Sequence, residues 1–379
     1  MRLFLQSFFP QILLTVYIYW RGRQALSPKS FGQILFTVLL GGELLLFLTG
    51  YLFHQDLPDS LLVPILYICN TWFVASLYLT MLLLSLEAVR LIQKRHSFLP
   101  KRLTRNPQQT QTRLFLAIVF TLAALMGYGY YIARHPVVKH VHLTISKQAA
   151  GRDSLKIVLM TDLHLGEMIG KKELQCFVAL SNAQQPDLVV LGGDILDYES
   201  RYAEKAHLEE ILKQLKAPLG VYIINGNHEF RANRETKRRW LLKTGGILLV
   251  DSVSQPDKSF YLIGRDDFIN KGRKSLYQLL WGLDRKKPLI VLDHQPAAPS
   301  EIEMNRVDLS LHGHTHNGQI WPNSWRMKFI WEWPYGLYRK GNSQAYVSSG
   351  IGFSGSPYRI GTHAELVVLH LRFDTGKSL

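Results

Sequence analysis

The chain has 379 residues, a formal net charge of +15 and 47% hydrophobic residues. It is therefore too long for one small domain and long enough for two. Its two cysteines, Cys69 and Cys176, lie in unrelated segments, which excludes a disulfide-rich scaffold.

Charge is distributed unevenly along the chain. Residues 1–136 contain twelve Lys or Arg and four Asp or Glu, whereas the remaining 243 residues contain 32 and 25. Few charges, nearly all basic, are typical of apolar segments joined by basic loops. Membrane topology therefore explains part of the high net charge, and we expect no nucleic-acid partner. The predicted domains are a transmembrane anchor at residues 1–136 and a soluble domain at residues 137–379.

Four apolar runs in the first domain are each about long enough to cross a ~30 Å hydrocarbon core, which needs ~20 helical residues. The predicted spans are residues 3–20, 31–53, 61–89 and 114–133. Only Arg2 precedes the first run, and no small-residue cleavage site follows Trp20. We therefore expect a retained span rather than a signal peptide.

The loops between the runs predict an orientation. The basic residues of the first loop are Arg21, Arg23 and Lys29, and those of the third include Arg90, Lys94, Arg95, Lys101, Arg102, Arg105 and Arg113. The second loop, residues 54–60, has two aspartates and neither Lys nor Arg. Basic loops stay in the cytoplasm, so four spans put both termini outside it. We expect a multi-pass protein of a bacterial inner membrane with an extracytoplasmic catalytic domain.

One carboxylate, Glu43, lies inside the second apolar run beside Gly41 and Gly42. An ionisable residue at that depth is either a functional group or a hydrogen-bonded residue between closely packed helices. A single carboxylate without a visible partner favours the second interpretation.

In the soluble domain, five apolar strand-like runs each end in residue types that can bind metals. The residues at these five ends are Asp162 and His164, Asp194 and Asp197, Asn227 and His228, His294, and His314 and His316. Helical periodicity at residues 171–183 and 202–215 between strands predicts an α/β fold. The carboxyl ends of parallel strands meet at one edge of a sheet, so five successive matches indicate one site. Carboxylate, imidazole and amide ligands together suit first-row divalent ions better than Mg²⁺ or Ca²⁺ alone.

Two further segments leave alternatives open. The basic segment Phe230–Lys243, with Arg231 and Arg234, predicts either a solvated helix face or a surface for anionic head groups or substrate phosphate. The segment Ile320–Tyr338 mixes aromatic and basic residues, and it begins with Trp321. That composition predicts a membrane contact, a substrate wall, or a loop packed on its own sheet.

The five blocks, in this order, resemble those of the calcineurin-like metallophosphoesterases. The matching blocks are Asp162-Leu-His164, Gly193-Asp-Ile-Leu-Asp197, Gly226-Asn-His-Glu229, His294 and Gly313-His-Thr-His316. The resemblance covers about residues 155–372 and not the membrane part. The stretch 313–319 and the tail from Ser349 are most similar to the bacterial YkuE/YaeI-like phosphodiesterases. Two departures are Asn317, where relatives tend to have Gly, and Thr362-His-Ala-Glu365, where a Pro-Pro-Glu-like turn is expected.

The resemblance implies a four-layer sandwich of two central β-sheets flanked by helices, with a dinuclear site for Mn, Fe or Zn ions. It implies one ion on Asp162, His164 and His316, and a second on Asn227, His294 and His314. By the same resemblance, Asp194 bridges the two ions. His228 would protonate the leaving oxygen or stabilise the transition state, and Asp197 would orient its imidazole.

The expected function is that of a membrane-anchored phosphoesterase, which cleaves a phosphodiester or pyrophosphate by attack of a metal-bridging hydroxide. The anchor favours a lipid-linked or envelope-associated substrate. One alternative is a UDP-2,3-diacylglucosamine-type pyrophosphohydrolase of lipid A synthesis, whose site would be cytoplasmic. An alternative of another class is a non-catalytic membrane regulator that binds metal or phosphate. A transporter or channel would rest only on Glu43 and the four spans.

Overall fold

The structure is a computed structural model that describes residues 2–53, 56–98, 100 and 106–374. Three basic residues of the predicted third loop, Lys101, Arg102 and Arg105, lie outside the described residues. The chain divides into two compact units. The first comprises Met1–Gly129 with Gly355–Pro357, and the second comprises Tyr130–Ser354 with Tyr358–Leu379. The domain boundary at residue 136 stays a prediction.

Long helices form the N-terminal part of the chain. They are α1 (Arg2–Ala25), α2 (Phe31–Leu52), α3 (Asp59–Arg95) and α4 (Pro107–Arg134). Among the described residues, three segments are long and apolar enough to cross a membrane, namely Phe31–Leu52, Asp59–Arg95 and Gln109–Arg134. The predicted first span lies in α1, which is not one of these three, so the total of four spans stays a prediction. Large apolar side chains such as Phe31 and Phe120 are exposed, as lipid-facing residues are.

Glu43 is buried among these helices. Its two carboxylate oxygens accept hydrogen bonds from Nε2 of Gln11 at 3.2 and 3.4 Å. It also borders an apolar cavity of about 710 Å³ whose other walls come from α2, α3 and α4. The structure therefore provides the packed, hydrogen-bonded arrangement that the sequence favours for this residue.

The second unit contains two β-sheets. The strands are β1 (Val137–Ile145), β2 (Ser154–Met160), β3 (Leu188–Leu191), β4 (Val221–Ile224), β5 (Ile247–Leu249), β6 (Ser252–Ser254), β7 (Tyr261–Gly264), β8 (Leu289–Leu292), β9 (Leu309–His312), β10 (Gly336–Lys340), β11 (Ser343–Val347) and β12 (Glu365–Phe373). The helices are α5 (Lys171–Ala183), α6 (Arg201–Lys205), α7 (Leu208–Leu212), α8 (Arg234–Leu242), α9 (Leu276–Leu280), α10 (Pro299–Met304) and α11 (Asn323–Ile330).

Each sheet has six strands and a parallel centre. The first sheet has the order β1-β12-β2-β3-β4-β5, and β2 to β5 are parallel neighbours. The second has the order β10-β11-β9-β8-β7-β6, and β11, β9, β8 and β7 are parallel. The strands in the middle of each sheet are short, and all four residues of β3, β8 and β9 are buried, as is typical of parallel strands covered on both faces.

Three apolar clusters define the layers. One contains side chains of both sheets, such as Ile157 and Leu292, and therefore fills the space between them. A second packs the first sheet against α5 to α8, and a third packs the second sheet against α9 and α10. This is the predicted four-layer arrangement, with two central sheets flanked by helices, and the fold prediction is confirmed.

The structure departs from the predicted elements in two places. The helix predicted over residues 202–215 is interrupted, because His207 has a φ of 51° and separates α6 from α7. The aromatic segment after residue 320 contains the helix α11, for which the sequence showed no clear periodicity.

Candidate metal centre

The predicted ligands all follow the carboxyl ends of parallel strands. Asp162 and His164 follow β2, Asp194 follows β3, Asn227 follows β4, His294 follows β8, and His314 and His316 follow β9. The first three strands belong to one sheet and the last two to the other. The candidate site therefore lies where the ends of both sheets meet, and neither sheet builds it alone.

The turns that hold these residues have an unusual backbone. Five of the seven predicted ligands have φ in the left-handed region, namely Asp162, His164, Asp194, His314 and His316. Such a conformation costs about 1–3 kcal/mol for a residue other than glycine, and it persists where the surroundings or a function require it. Glycines allow the close approach of the turns. A Cβ on Gly193, whose φ is 92°, would lie 2.6 Å from Nδ1 of His294.

The first predicted ligand set is brought together. Asp162, His164 and His316 each offer one ligand atom within a cluster that could hold a metal ion. Nε2 of His164 lies 3.1 Å from Nε2 of His316, which in turn lies 3.3 Å from Oδ1 of Asp162. All three side chains are buried.

The second predicted set also converges. Asp194, His294 and His314 form another such cluster, and Nδ1 of His314 lies 2.7 Å from Oδ1 of Asn227. Oδ2 of Asp194 is 3.2 Å from Nε2 of His294 and 3.8 Å from Nε2 of His164. One oxygen of Asp194 therefore faces a member of each predicted set, which is the position that a bridging carboxylate requires.

His228 and Asp197 lie beside these two clusters, and His228 forms a third group of possible ligands with His164 and Asp194. Nδ1 of His228 is 2.9 Å from Oδ1 of Asp197, so the two side chains are within hydrogen-bond distance. The same oxygen is 3.3 Å from Nδ1 of His164. Asp197 thus contacts both a predicted ligand and the predicted acid. The backbone N–H of His228 donates to Oδ1 of Asp194 at 2.8 Å, which joins the predicted acid to the predicted bridging residue.

The donor set fits divalent cations. Nδ1 of His294 donates to the carbonyl of Gly192 at 2.8 Å, because a carbonyl can only accept. In the neutral ring, Nε2 then keeps its lone pair, and this buried atom has no hydrogen-bond partner although it faces the Asp194 carboxylate. Two electron-pair donors so close together need a proton or a metal cation between them. A backbone carbonyl on the far nitrogen is also the usual support of a metal-bound histidine.

Electrostatics in the clusters agree with a site for cations. Burial lowers the pKa of His294, but the carboxylates of Asp194 and Asp162 outweigh it and raise this pKa well above its usual value. Burial raises the pKa of Asp194, yet His294 and His228 hold it well below its usual value. Divalent ions would replace the protons that these groups otherwise share.

Two buried residues that the sequence did not identify hold the turns in place. The carboxylate of Glu229 accepts backbone N–H groups of Asp194 at 2.9 Å and of Gly226 at 2.7 Å, together with those of the next two residues after Asp194. Nζ of Lys237 donates to the carbonyls of Asp197 at 2.7 Å and of His228 at 2.6 Å. Lys237 is buried, although its basic neighbours made it resemble part of a solvated helix face.

Arg359 and Glu365 are two further buried charged residues to which the sequence assigned no role. Arg359 donates to several loop carbonyls, including Ser349 at 2.7 Å and Gly352 at 2.6 Å. Glu365, in the block that departs from the expected turn, accepts from Tyr335 Oη at 2.8 Å and from Ser349 N–H at 3.0 Å. No sequence pattern marks these roles, because each depends on segments distant in the chain.

The remaining candidates lie outside the two ligand clusters. Arg231 is partly exposed, and Arg234 forms an ion pair with Asp266 at 3.0 Å. Trp321 is 49% exposed. His312 lies two residues before His314, the spacing that places side chains on the same side of a strand, and it is buried. Its Nδ1 is 2.6 Å from the carbonyl oxygen of Asp293, and it is not a member of either cluster.

Comparison with known proteins agrees with this geometry. Residues 155–318 match the family model described as calcineurin-like phosphoesterase. The chain is 33% identical over 268 residues to an "Uncharacterized metallophosphoesterase" of Helicobacter pylori, an alignment that covers 68% of this chain and 70% of that protein. It is 30% identical over 267 residues to the "Uncharacterized metallophosphoesterase YkuE" of Bacillus subtilis, covering 66% of this chain and 92% of that protein.

A relative named for membrane helices also matches. The chain is 32% identical over 276 residues to the "Transmembrane protein with metallophosphoesterase domain" of Danio rerio, and the alignment covers 68% of this chain. It covers 62% of that relative, so the chain spans less than two thirds of its length.

Proposed function

The chain belongs to the calcineurin-like metallophosphoesterase family, and on that premise we propose that it is a membrane-anchored phosphodiesterase or pyrophosphohydrolase with a lipid-linked or envelope-associated substrate. The family uses a dinuclear divalent metal centre, and the chain is a metal-dependent phosphoesterase. The observation that carries the proposal is the convergence of two ligand clusters on one oxygen of Asp194.

Each residue of the site has a proposed role. One ion would be held by Asp162, His164 and His316, and the other by Asn227, His294 and His314. Asp194 would join the two. When bound, such a pair of ions activates water and neutralises charge on the phosphoryl oxygens during an in-line displacement.

The chain's own side chains would supply the proton transfer. His228, held by Asp197 at 2.9 Å, is placed to give a proton to the departing oxygen, which otherwise leaves as an alkoxide. The carboxylate behind the ring fixes its tautomer and its orientation. Lys237 holds the backbone of both residues of this pair.

The lipid-linked substrate is proposed because of the anchor. In the described part of the chain, three helices long and apolar enough to cross a membrane precede the catalytic fold, and β1 begins three residues after α4 ends. A covalent anchor confines the enzyme near a bilayer and raises its effective concentration toward lipid-borne substrates. Arg231 and Arg234 are proposed substrate or head-group contacts.

Hydrolysis by the purified full chain tests the reaction. We expect turnover of a bis-aryl phosphodiester when Mn²⁺ is added. A wild-type protein that binds two ions but stays inactive across divalent metals would support the non-catalytic regulator instead. The Mn²⁺ assay also tests the metal preference, which is proposed to lie among Mn, Fe and Zn.

A reporter fused after Leu379 tests the topology. From the charge bias of the loops we propose a protein of a bacterial inner membrane whose catalytic domain is extracytoplasmic. A reporter that works only outside the cytoplasm should therefore give a signal. A cytoplasmic signal would contradict this topology and would support the UDP-2,3-diacylglucosamine-type pyrophosphohydrolase.

A further inference from the structure

Helix α11 has two large aromatic side chains that are exposed to solvent. Trp325 is 61% exposed and Phe329 is 73% exposed, and their rings contact each other edge to face with centroids 5.1 Å apart. None of the eight residues of α11 is buried. A helix on the surface of a water-soluble domain normally buries one apolar face, so this helix lacks its usual packing partner.

Helix α11 combines exposed apolar residues with basic residues, which are interleaved along it. Ile330 is also exposed, as is Trp321 just before the helix. Arg326 and Lys328 lie among these apolar residues, and the helix contains no acidic residue. Aromatic and aliphatic side chains enter the boundary between head groups and acyl chains, while Lys and Arg are attracted by anionic lipid heads.

The segment that carries α11 is attached to the metal centre at both ends. Before the helix, the N–H of Gln319 donates to the carbonyl of His316 at 3.0 Å. After it, the ring of Trp331 contacts the ring of His314 edge to face at 5.3 Å, and Thr315 Oγ1 donates to the carbonyl of Pro334 at 2.6 Å. An eight-residue helix is only about 12 Å long, so its exposed aromatic residues lie close to the predicted ligands.

Only part of this aromatic segment packs on its own sheet. Trp333 is buried and stacks on Tyr338 of β10 with centroids 5.6 Å apart. This contact packs the end of the aromatic segment against the sheet, but the residues of α11 take no part in it. Packing on the sheet therefore does not explain Trp325 and Phe329.

We propose that α11 is a membrane-surface helix that inserts Trp325, Phe329 and Ile330 into an anionic bilayer and presents a lipid-borne phosphoester to the metal centre. Bilayer contact stands by itself, whereas presentation of the substrate rests on the proposed phosphoesterase function. The occupant of the exposed face is the lipid surface, which matches both the apolar residues and the positive charge.

Bilayer contact is tested by an environment-sensitive fluorophore on the full chain. The chain carries Cys69→Ala and Cys176→Ala, and the dye is attached at Phe329→Cys in nanodiscs of phosphatidylcholine and phosphatidylglycerol. Tyr277→Cys is the matched control, since Tyr277 of α9 is 60% exposed and contacts Trp281 edge to face at 5.6 Å. We expect a blue-shifted emission and quenching by spin-labelled lipids at position 329 and neither at position 277.

Two results would overturn this contact. Water-like emission at both positions means that α11 does not reach the bilayer. A blue shift at position 329 without quenching by lipid means that a protein surface covers the helix.

Presentation is tested with two substrates that share one reacting bond. Methyl 4-nitrophenyl phosphate is soluble, and hexadecyl 4-nitrophenyl phosphate partitions into the nanodisc. We expect the double variant Trp325→Ser/Phe329→Ser to lose at least about tenfold in hydrolysis of the hexadecyl ester, because it removes two large apolar anchors, and to change hydrolysis of the methyl ester less than about twofold. Tyr277→Ser/Trp281→Ser should leave both rates unchanged.

The outcomes separate the two ideas. A wild-type chain that hydrolyses neither ester contradicts the proposed function, while the fluorescence result still decides bilayer contact. Equal loss on both esters in the Trp325→Ser/Phe329→Ser chain contradicts presentation, because α11 then shapes the metal centre itself.

Discussion

Buried carboxylates occur in both units of the chain, and their surroundings differ. At the metal centre, one oxygen of Asp194 has imidazole nitrogens of His294, His164 and His228 at 3.2, 3.8 and 4.0 Å. Among the helices of the first unit, Glu43 accepts hydrogen bonds from the single amide of Gln11. Burial of a charge is costly in either place unless partners offset it.

The difference shows what identifies a functional carboxylate. Burial and the presence of a partner are common to both residues. What sets Asp194 apart is that several ligand-type groups from different strands meet at one oxygen, in turns whose backbone is strained at five ligand positions. Removing Asp194 should therefore affect several groups at once, and removing Glu43 should affect one.

The largest effect is expected for Asp194→Asn. The amide removes the charge that two neighbouring cations would share, so we expect loss of both ions and at least about a thousandfold loss of diester hydrolysis, which corresponds to several kcal/mol. Metal analysis of the purified chain measures the ions. In His164→Ala mainly one ion should be lost. Retention of two ions in Asp194→Asn would contradict the bridging role.

His228→Ala should separate chemistry from metal binding. Loss of a positioned acid lowers turnover by about 10²–10⁴-fold. Two ions per chain should remain, because His228 is in neither predicted ligand set. If turnover stays within threefold of wild type, the proton comes from another group.

Lys237→Met should have an intermediate effect. The change removes the Nζ donor from the carbonyls of Asp197 and His228, while the His228 carbonyl keeps the backbone N–H of Arg231 at 3.0 Å. We therefore expect the free energy of unfolding to fall by about 1–3 kcal/mol. We expect kcat for a soluble diester to fall about tenfold with little change in KM, because a displaced acid impairs the transition state rather than binding.

Lys243→Met is the matched control, since Lys243 follows the same helix and is exposed. It should change neither stability nor kcat. A Lys237→Met chain that is destabilised but keeps full kcat would show that Lys237 is structural only.

The smallest effect is expected for Glu43→Gln. The amide keeps the shape and a polar contact with Gln11, so hydrolysis of a soluble diester and the metal content should stay within about twofold of wild type. A tenfold loss of activity in a chain that still folds would remove the contrast with Asp194 and assign Glu43 a function.

Much of the candidate site could be predicted because its information is local. Each predicted ligand follows an apolar run in the sequence, and the order of the blocks indicated the family. The structure brings Asp162, His164 and His316 together in one cluster, and Asp194, His294 and His314 in another. Residues such as Lys237 and Arg359 could not be assigned, because their partners lie in other turns and charge alone resembles a solvated surface.

The amino-acid order is enough for an α/β fold, a cluster of metal-binding residue types and the apolar helices, since hydrophobic periodicity and ligand type are properties of short stretches. The four-layer arrangement was expected only because the five blocks resemble those of a known family. Only the folded chain decides that two sheets contribute to one centre, that Asp197 contacts two histidines, and that α11 stays exposed beside the ligands. These features depend on contacts between residues far apart in the sequence, which no local pattern records.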